Sequence, residues 1–212
     1  MELQIYNTLA VLNTAIHEKL VKLDKPDWEK ILEYARIHKI TSLVYEGLCK
    51  YESFNNAPED IKNKFFALSV TTIKSQITRT EVFLNIYDKL LNAGLKPLVL
   101  KGLICRSLYG ELADHRPSKD EDILIKREEF EIYRKILEQN GFAMEDVPAG
   151  TVKDEIAFLH KSGLVIEVHL SLIHNEGKIY SRMNSCLEAP YKDCISMDFN
   201  GHLIYTLSPT KG

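Results

Sequence analysis

The hydrophobic period of this chain changes once, at Gly94, and that change limits the fold more than any other feature. From Gln4 to Gly94 apolar residues recur at three- and four-residue spacings, as in Leu9, Leu12, Ile16 and Leu20, which is the period of amphipathic helices. Pro26 suits the first turn of a second helix carrying Trp28, Ile31, Leu32 and Ala35. Ile40 to Cys49 reads as a third, with Leu43, Val44, Gly47 and Leu48 inward. Pro58 opens a long tract through Ile61, Phe65, Leu68, Ile73, Ile77, Phe83, Ile86 and Leu90, which Gly94 ends as a C-cap would. The β-branched run Thr71-Thr72-Ile73 lowers helix propensity and predicts a break into two helices. Trp28, Phe65, Phe66 and Phe83 are assigned to the core.

Beyond Gly94 short strands alternate with helices. Leu98 to Leu100 is a strand, Leu103 to Tyr109 a helix, Asp120 to Lys126 a second strand, and Glu128 to Gln139 an amphipathic helix closed by Gly141. Ile156 to His160 and Leu164 to Leu170 form a hairpin about Ser162-Gly163. Ile195 to Phe199 and His202 to Leu207 form another about Asn200-Gly201, a type I′ turn signal. The expected fold class is α+β: a helical region, 1–94, packed on a small mixed-sheet domain, 95–212.

Asp120 and Asp122 are the residues most charged with chemistry. Alternation along a strand puts both carboxylates on one face, roughly 7 Å apart. Acids held that close repel unless a cation sits between them, and a hard divalent ion such as Mg2+ or Mn2+ takes carboxylate and phosphate oxygens together. In Leu164 to Leu170 the residues Leu164, Ile166, Val168 and Leu170 share one face, leaving Glu167 and His169 on the other, where Glu167 would supply a third carboxylate. Upstream, Leu98-Val99-Leu100-Lys101-Gly102 leads from a strand through glycine to a helix start, where backbone N–H groups face an anion. Lys101 suits phosphate as a point charge and Arg116 as a bidentate grip.

Composition narrows the alternatives. With 45% hydrophobic and 27% charged residues the chain is globular, and its net charge of −3 gives no footprint for long-duplex nucleic acid. No run approaches the roughly 18 apolar residues of a membrane helix, and the start Met1-Glu2-Leu3-Gln4 lacks the layout of a signal peptide, so the expected location is cytoplasmic. Cys49, Cys105, Cys186 and Cys194 form no C-x-x-C pair and are expected as thiols. His160, His169 and His174 do not spell a zinc site.

Taken together, Leu100-Lys101-Gly102, then Arg116-Pro117 with Asp120 and Asp122, then Glu167-Val168-His169 resemble an uncharacterised bacterial nucleotidyltransferase family within the superfamily of DNA polymerase beta. The helical lead with Asp27-Trp28 also looks like that family's N-terminal segment. Two positions depart from its pattern: Lys119 stands where a glycine usually precedes the first acid, and Glu121 where an apolar residue usually separates the two. Glu121 would point to the packed face of the sheet, where an unpaired carboxylate is costly; Lys119, Arg116, the solvent edge or a decayed site are the readings it leaves open.

The resemblance implies metal-dependent transfer of a nucleoside monophosphate from a nucleoside triphosphate to a hydroxyl acceptor on a small molecule, protein or RNA. Its catalytic and metal-binding residues would be Asp120, Asp122 and Glu167, with His169 as a neighbour orienting Glu167. Lys101, Gly102, Arg116 and Ser118 would bind the nucleotide. The alternative is an inactive nucleotidyltransferase fold serving as a binding module or helical adaptor. The resemblance further implies a helical region beyond Ser208-Pro209, so a shortened C-terminal end is expected.

Overall fold

The computed structural model describes residues 2–146, 154–172, 191–192 and 194–208. His174, Cys186 and the helix start expected at Pro209 lie outside the described residues. The chain divides into two compact units, one of residues 1–77 with 108–117, the other of residues 78–107 with 118–212.

In the first unit, helices α1 (Leu3–His17), α2 (Trp28–Ile37), α3 (Thr41–Leu48) and the first half of α4 (Glu59–Asn92) enclose a core of Val11, Ile31, Leu32, Ala35, Val44, Leu48, Phe54, Ile61 and Phe65. Asp27 caps α2 by accepting from the Lys30 N–H, which satisfies an otherwise open donor of the first turn. Gly47 lets α3 approach α1 closely: a Cβ there would lie 2.3 Å from the Val11 carbonyl oxygen. Phe66, assigned to the core from sequence, is 55% exposed.

The inward face of α1 mixes polar residues with Ala10, Val11 and Ala15. Gln4, Asn7, Thr8 and Thr14 are buried, whereas Leu9 is 50% and Ile16 42% exposed. The cause is the irregular segment that follows the helix, whose backbone needs partners. The Asn7 side chain donates to the Asp24 carbonyl and accepts from the Asp24 N–H, Gln4 donates to the Lys25 carbonyl and accepts from the Asp27 N–H, and the Thr14 hydroxyl donates to the Lys19 carbonyl. These bonds fix which face turns inward, against the apolar stripe.

Helix α4 does not break at Thr71-Thr72-Ile73. Thr71 and Thr72 donate their hydroxyls to the carbonyls of Ala67 and Leu68, four residues back, so both fit within one helix from Glu59 to Asn92. Its residues up to Ile77 belong to the first unit and those from Thr78 to the second.

The second unit is built on a mixed sheet of strands β1 (Leu98–Val99), β2 (Asp120–Leu124), β3 (Phe142–Met144), β4 (Glu155–His160), β5 (Val165–His169), β6 (Cys194–Phe199) and β7 (His202–Leu207), in the order β3-β4-β5-β2-β1-β7-β6. Strand β2 runs parallel to β5 and antiparallel to β1, and β1 runs parallel to β7. Helices α5 (Leu103–Ser107) and α6 (Phe130–Gln139) complete the unit. One core gathers Phe83, Tyr87 and Leu90 of α4, Tyr133 and Leu137 of α6, and Ile123, Ile156, Phe158, Ile166 and Val168 of the sheet. Period-2 alternation therefore commits one face of β2, β4 and β5 to packing and leaves Asp122, Glu155, Glu167 and His169 on the other. The β4–β5 turn spans Lys161-Ser162-Gly163, one residue longer than expected, with Gly163 at φ +79°. Asn200 and Gly201, both at positive φ, make the expected type I′ turn.

Candidate active site

The parallel register of β2 and β5 sets Asp122 directly beside Glu167 and Leu124 beside His169. On the same face of β4, Glu155 stands opposite His169. Asp122, Glu167 and His169 each offer one ligand atom, and these atoms lie within 4.8 Å of one another. Only 2% of Asp122 is exposed, so its charge needs partners. Its Oδ1 accepts from Lys101 Nζ at 3.0 Å and lies 3.0 Å from His169 Nε2. His169 Nδ1 lies 3.6 Å from Glu155 Oε2.

Two carboxylates in this cluster are pushed in opposite directions. Burial acts to raise the Asp122 carboxyl, but the hydrogen bonds from His169 and Lys101 outweigh it and hold the group below the ordinary carboxylate range. Burial raises the Glu167 carboxyl, and the negative charges of Asp122, Glu155 and Asp120 raise it further. The hydrogen bond and charge of Asp122 raise the Lys101 ammonium in turn. Two oxygen donors and an imidazole, crowded enough to hinder ionisation of one acid, suit a hard divalent cation.

The other expected residues are placed as follows. Asp120 is exposed at the start of β2, opposite Val165 and outside the cluster of Asp122, Glu167 and His169. Ser118 donates its hydroxyl to the Asp120 carbonyl, and the Ser118 carbonyl accepts from Arg79. The guanidinium of Arg116, in the first unit, lies 5.8 Å from the centre of the Tyr109 ring. His169 makes its short contact with Asp122 and not with Glu167, because the register offsets it from Asp122 by one pleat across the pair.

Glu121 is neither at the solvent edge nor paired with Lys119 or Arg116. Its partner is Arg106 of α5, entirely buried, whose Nη2 donates to Glu121 Oε1 at 2.6 Å while Nη1 donates to the Thr80 hydroxyl at 2.7 Å. Glu121 Oε2 accepts the Leu103 N–H at 2.6 Å, at the start of α5. Burial pushes the Glu121 carboxyl up to about 6, with Arg106 and the Leu103 N–H pulling against it. Gly102 has φ +58°, and a Cβ there would lie 2.1 Å from Glu121 Oε2. The glycine thus admits a carboxylate from the chain itself.

Sequence reasoning missed Arg106 and Glu155. Glu155 was accessible in principle, since extending the hairpin by one residue puts it opposite His169. Arg106 carried no signal, because nothing local marks an arginine on a short helix as buried.

A family model described as an uncharacterised nucleotidyltransferase matches residues 24–211. The chain belongs to this nucleotidyltransferase family. No curated protein matches it. Among solved structures, the nucleotidyltransferase chain is similar to the lincosamide antibiotic adenylyltransferase LnuA, solved with lincomycin bound, at 12% identity and a TM-score of 0.42, over 60% of this chain and 79% of that one. No helix among the described residues is long and apolar enough to cross a membrane.

Proposed function

We propose that this family member transfers a nucleoside monophosphate from a nucleoside triphosphate to a hydroxyl acceptor, using a divalent cation at Asp122 and Glu167, with Asp120 at the outer end of the same strand face. The observation that carries this reading is the convergence of Asp122, Glu167 and His169 within 4.8 Å on two parallel neighbouring strands of a nucleotidyltransferase-family chain. Mg2+ or Mn2+, when bound, supplies neutralisation of phosphate charge.

The chain's own residues do the rest. The acceptor oxygen forms a bond to the α-phosphorus as the bond from that phosphorus to the bridging oxygen breaks and pyrophosphate leaves. Glu167, whose carboxyl is raised by burial and by its acidic neighbours, is suited to take the hydroxyl proton. His169 and Lys101 hold Asp122 ionised and oriented. The exposed ammonium of Lys101 is available to a phosphate as a point charge, with Gly102 and Ser118 beside the same strand entrance. Glu121 gives the inactive alternative no support, since its charge is matched by Arg106.

The test is thermal stabilisation with Mg2+ and each of ATP, GTP, CTP and UTP, followed by transfer of an α-phosphate label into cell extract. A ligand at 100 times its dissociation constant adds about 2.7 kcal/mol of stability. Stabilisation by Mg2+ with one nucleotide, lost in Asp122→Asn, is expected. No stabilisation by any nucleotide with either Mg2+ or Mn2+ would overturn the reading.

A further inference from the structure

Glu155 has a place in the site that neither the sequence motifs nor the family match assigns. It stands at the start of β4, directly opposite His169 of β5, on the sheet face that also carries Asp122 and Glu167. The strand is pinned there: the Leu170 N–H donates to the Asp154 carbonyl at 2.7 Å, and Arg127 pairs with the Asp154 carboxylate. Cross-strand neighbours of this kind have Cβ atoms about 5 Å apart, close enough for a glutamate to flank an imidazole. His169 Nε2 lies 3.0 Å from Asp122 Oδ1 and Nδ1 lies 3.6 Å from Glu155 Oε2, so both ring nitrogens face carboxylates. The last torsion of histidine is broad and roughly two-fold, so nothing within the side chain fixes which edge of the ring points to Asp122. A half-turn would put Cε1 in place of Nε2 and Cδ2 in place of Nδ1, and both contacts would be lost.

We propose that Glu155 is a positioning residue: it holds the His169 ring with Nε2 toward Asp122, and His169 thereby turns Asp122 to a divalent cation without itself becoming a ligand. This role rests on the cation site proposed above. A carboxylate only accepts hydrogen bonds, so the hydrogen between His169 and Asp122 sits on Nε2, and that nitrogen has no lone pair to offer a metal. The Asp122 carboxylate has a broad final torsion of its own, so its partners set its direction. Lys101 and His169 both meet it at Oδ1, which leaves Oδ2 for the cation. Groups that orient ligands in this way change metal affinity by about 10- to 100-fold when removed. The Glu155 side chain is 39% exposed, so its charge alone acts on the cation through a screened path. Substitution separates positioning from attraction: glutamine keeps the length and an acceptor oxygen without the charge, and leucine keeps neither acceptor nor charge.

Two measurements on the full chain test this. In the metal-free protein, nuclear magnetic resonance of isotope-labelled histidine should show hydrogen on His169 Nε2, the signal being assigned by its absence in His169→Asn. An Nε2 without hydrogen overturns the proposal. Calorimetric titration with Mn2+, in the absence of nucleotide, should find Glu155→Leu about ten-fold weaker than the wild type and Glu155→Gln close to it. Adding Glu155→Leu to His169→Asn should bring no further loss, because the effect passes through the ring. Equal weakening by glutamine and leucine would reduce Glu155 to a source of charge, and unchanged affinity in Glu155→Leu would remove it from the site. Either result overturns the proposal, as does nitrogen hyperfine coupling from an imidazole bound directly to Mn2+. A wild type that binds no Mn2+ overturns it together with the cation site. A wild type that binds Mn2+ with this pattern of variants, yet is stabilised by no nucleotide, refutes the catalytic reading alone and leaves Glu155 in its role.

Discussion

Asp122 is the residue on which the site turns, because it is buried, ionised and held by two donors at one oxygen. Its carboxyl lies below the ordinary value of 3.8, so it contributes stability that is in place above that value and lost as pH falls through the lower folded one. The urea midpoint of the wild type should therefore exceed that of Asp122→Asn at neutral pH, and the gap should close below about pH 4. Glu167 runs the other way. Its carboxyl is raised above 4.5, and a bound cation requires it ionised, so Mn2+ affinity should begin to fall at a higher pH than for an ordinary carboxylate. Titration calorimetry with Mn2+ at several pH values checks this, and Glu167→Gln should remove the raised step together with most of the affinity. A Mn2+ affinity unchanged in Glu167→Gln would exclude Glu167 from the ligand set.

At the scale of elements, β2 is tied to α5 by a buried ion pair. Glu121 faces the packed side of the sheet between two acids that face the other, and Arg106 with the Leu103 N–H makes that charge tolerable there. Removing either partner strands a buried charge and should cost about 3–5 kcal/mol, whereas Arg106→Met with Glu121→Leu together should recover most of that loss. Equilibrium unfolding of the two single variants and the double variant measures it. Gly102→Ala combines an unfavourable positive φ with a clash against the Glu121 carboxylate and should cost about 1–3 kcal/mol. Because Lys101 adjoins Gly102, both changes should also loosen its bond to Asp122, seen as a weaker dependence of Mn2+ binding on Lys101→Met.

For the molecule as a whole, the two units carry separate cores, with α4 contributing to each. Leu48 is fully buried in the first, and Leu48→Ala should cost about 2–5 kcal/mol. Amide exchange should report the loss first in α1, α2 and α3, while β2 and β5 stay protected to higher denaturant. Uniform loss of protection across both units would show that they unfold together.

The sequence alone determined the type of most elements, though neither the unbroken α4 nor strand β3, together with the change of period at Gly94, the tail hairpin about Asn200-Gly201, and the face on which Glu167 and His169 lie. These follow from local rules: period, turn residues and propensity act over a few neighbours and can be read in order. It also carried the family motifs, although not the geometry among them. Tertiary structure decided which strand lies beside which, and hence that Asp122 and not Asp120 falls in the cluster with Glu167 and His169. It decided that α1 turns Gln4 and Asn7 inward beside Val11, because the backbone of residues 24–27 required those side chains. It also decided that Glu121 is neutralised by Arg106, 15 residues away along the chain. Each depends on partners brought together by folding, and a buried charge or backbone group takes whichever partner the packing supplies.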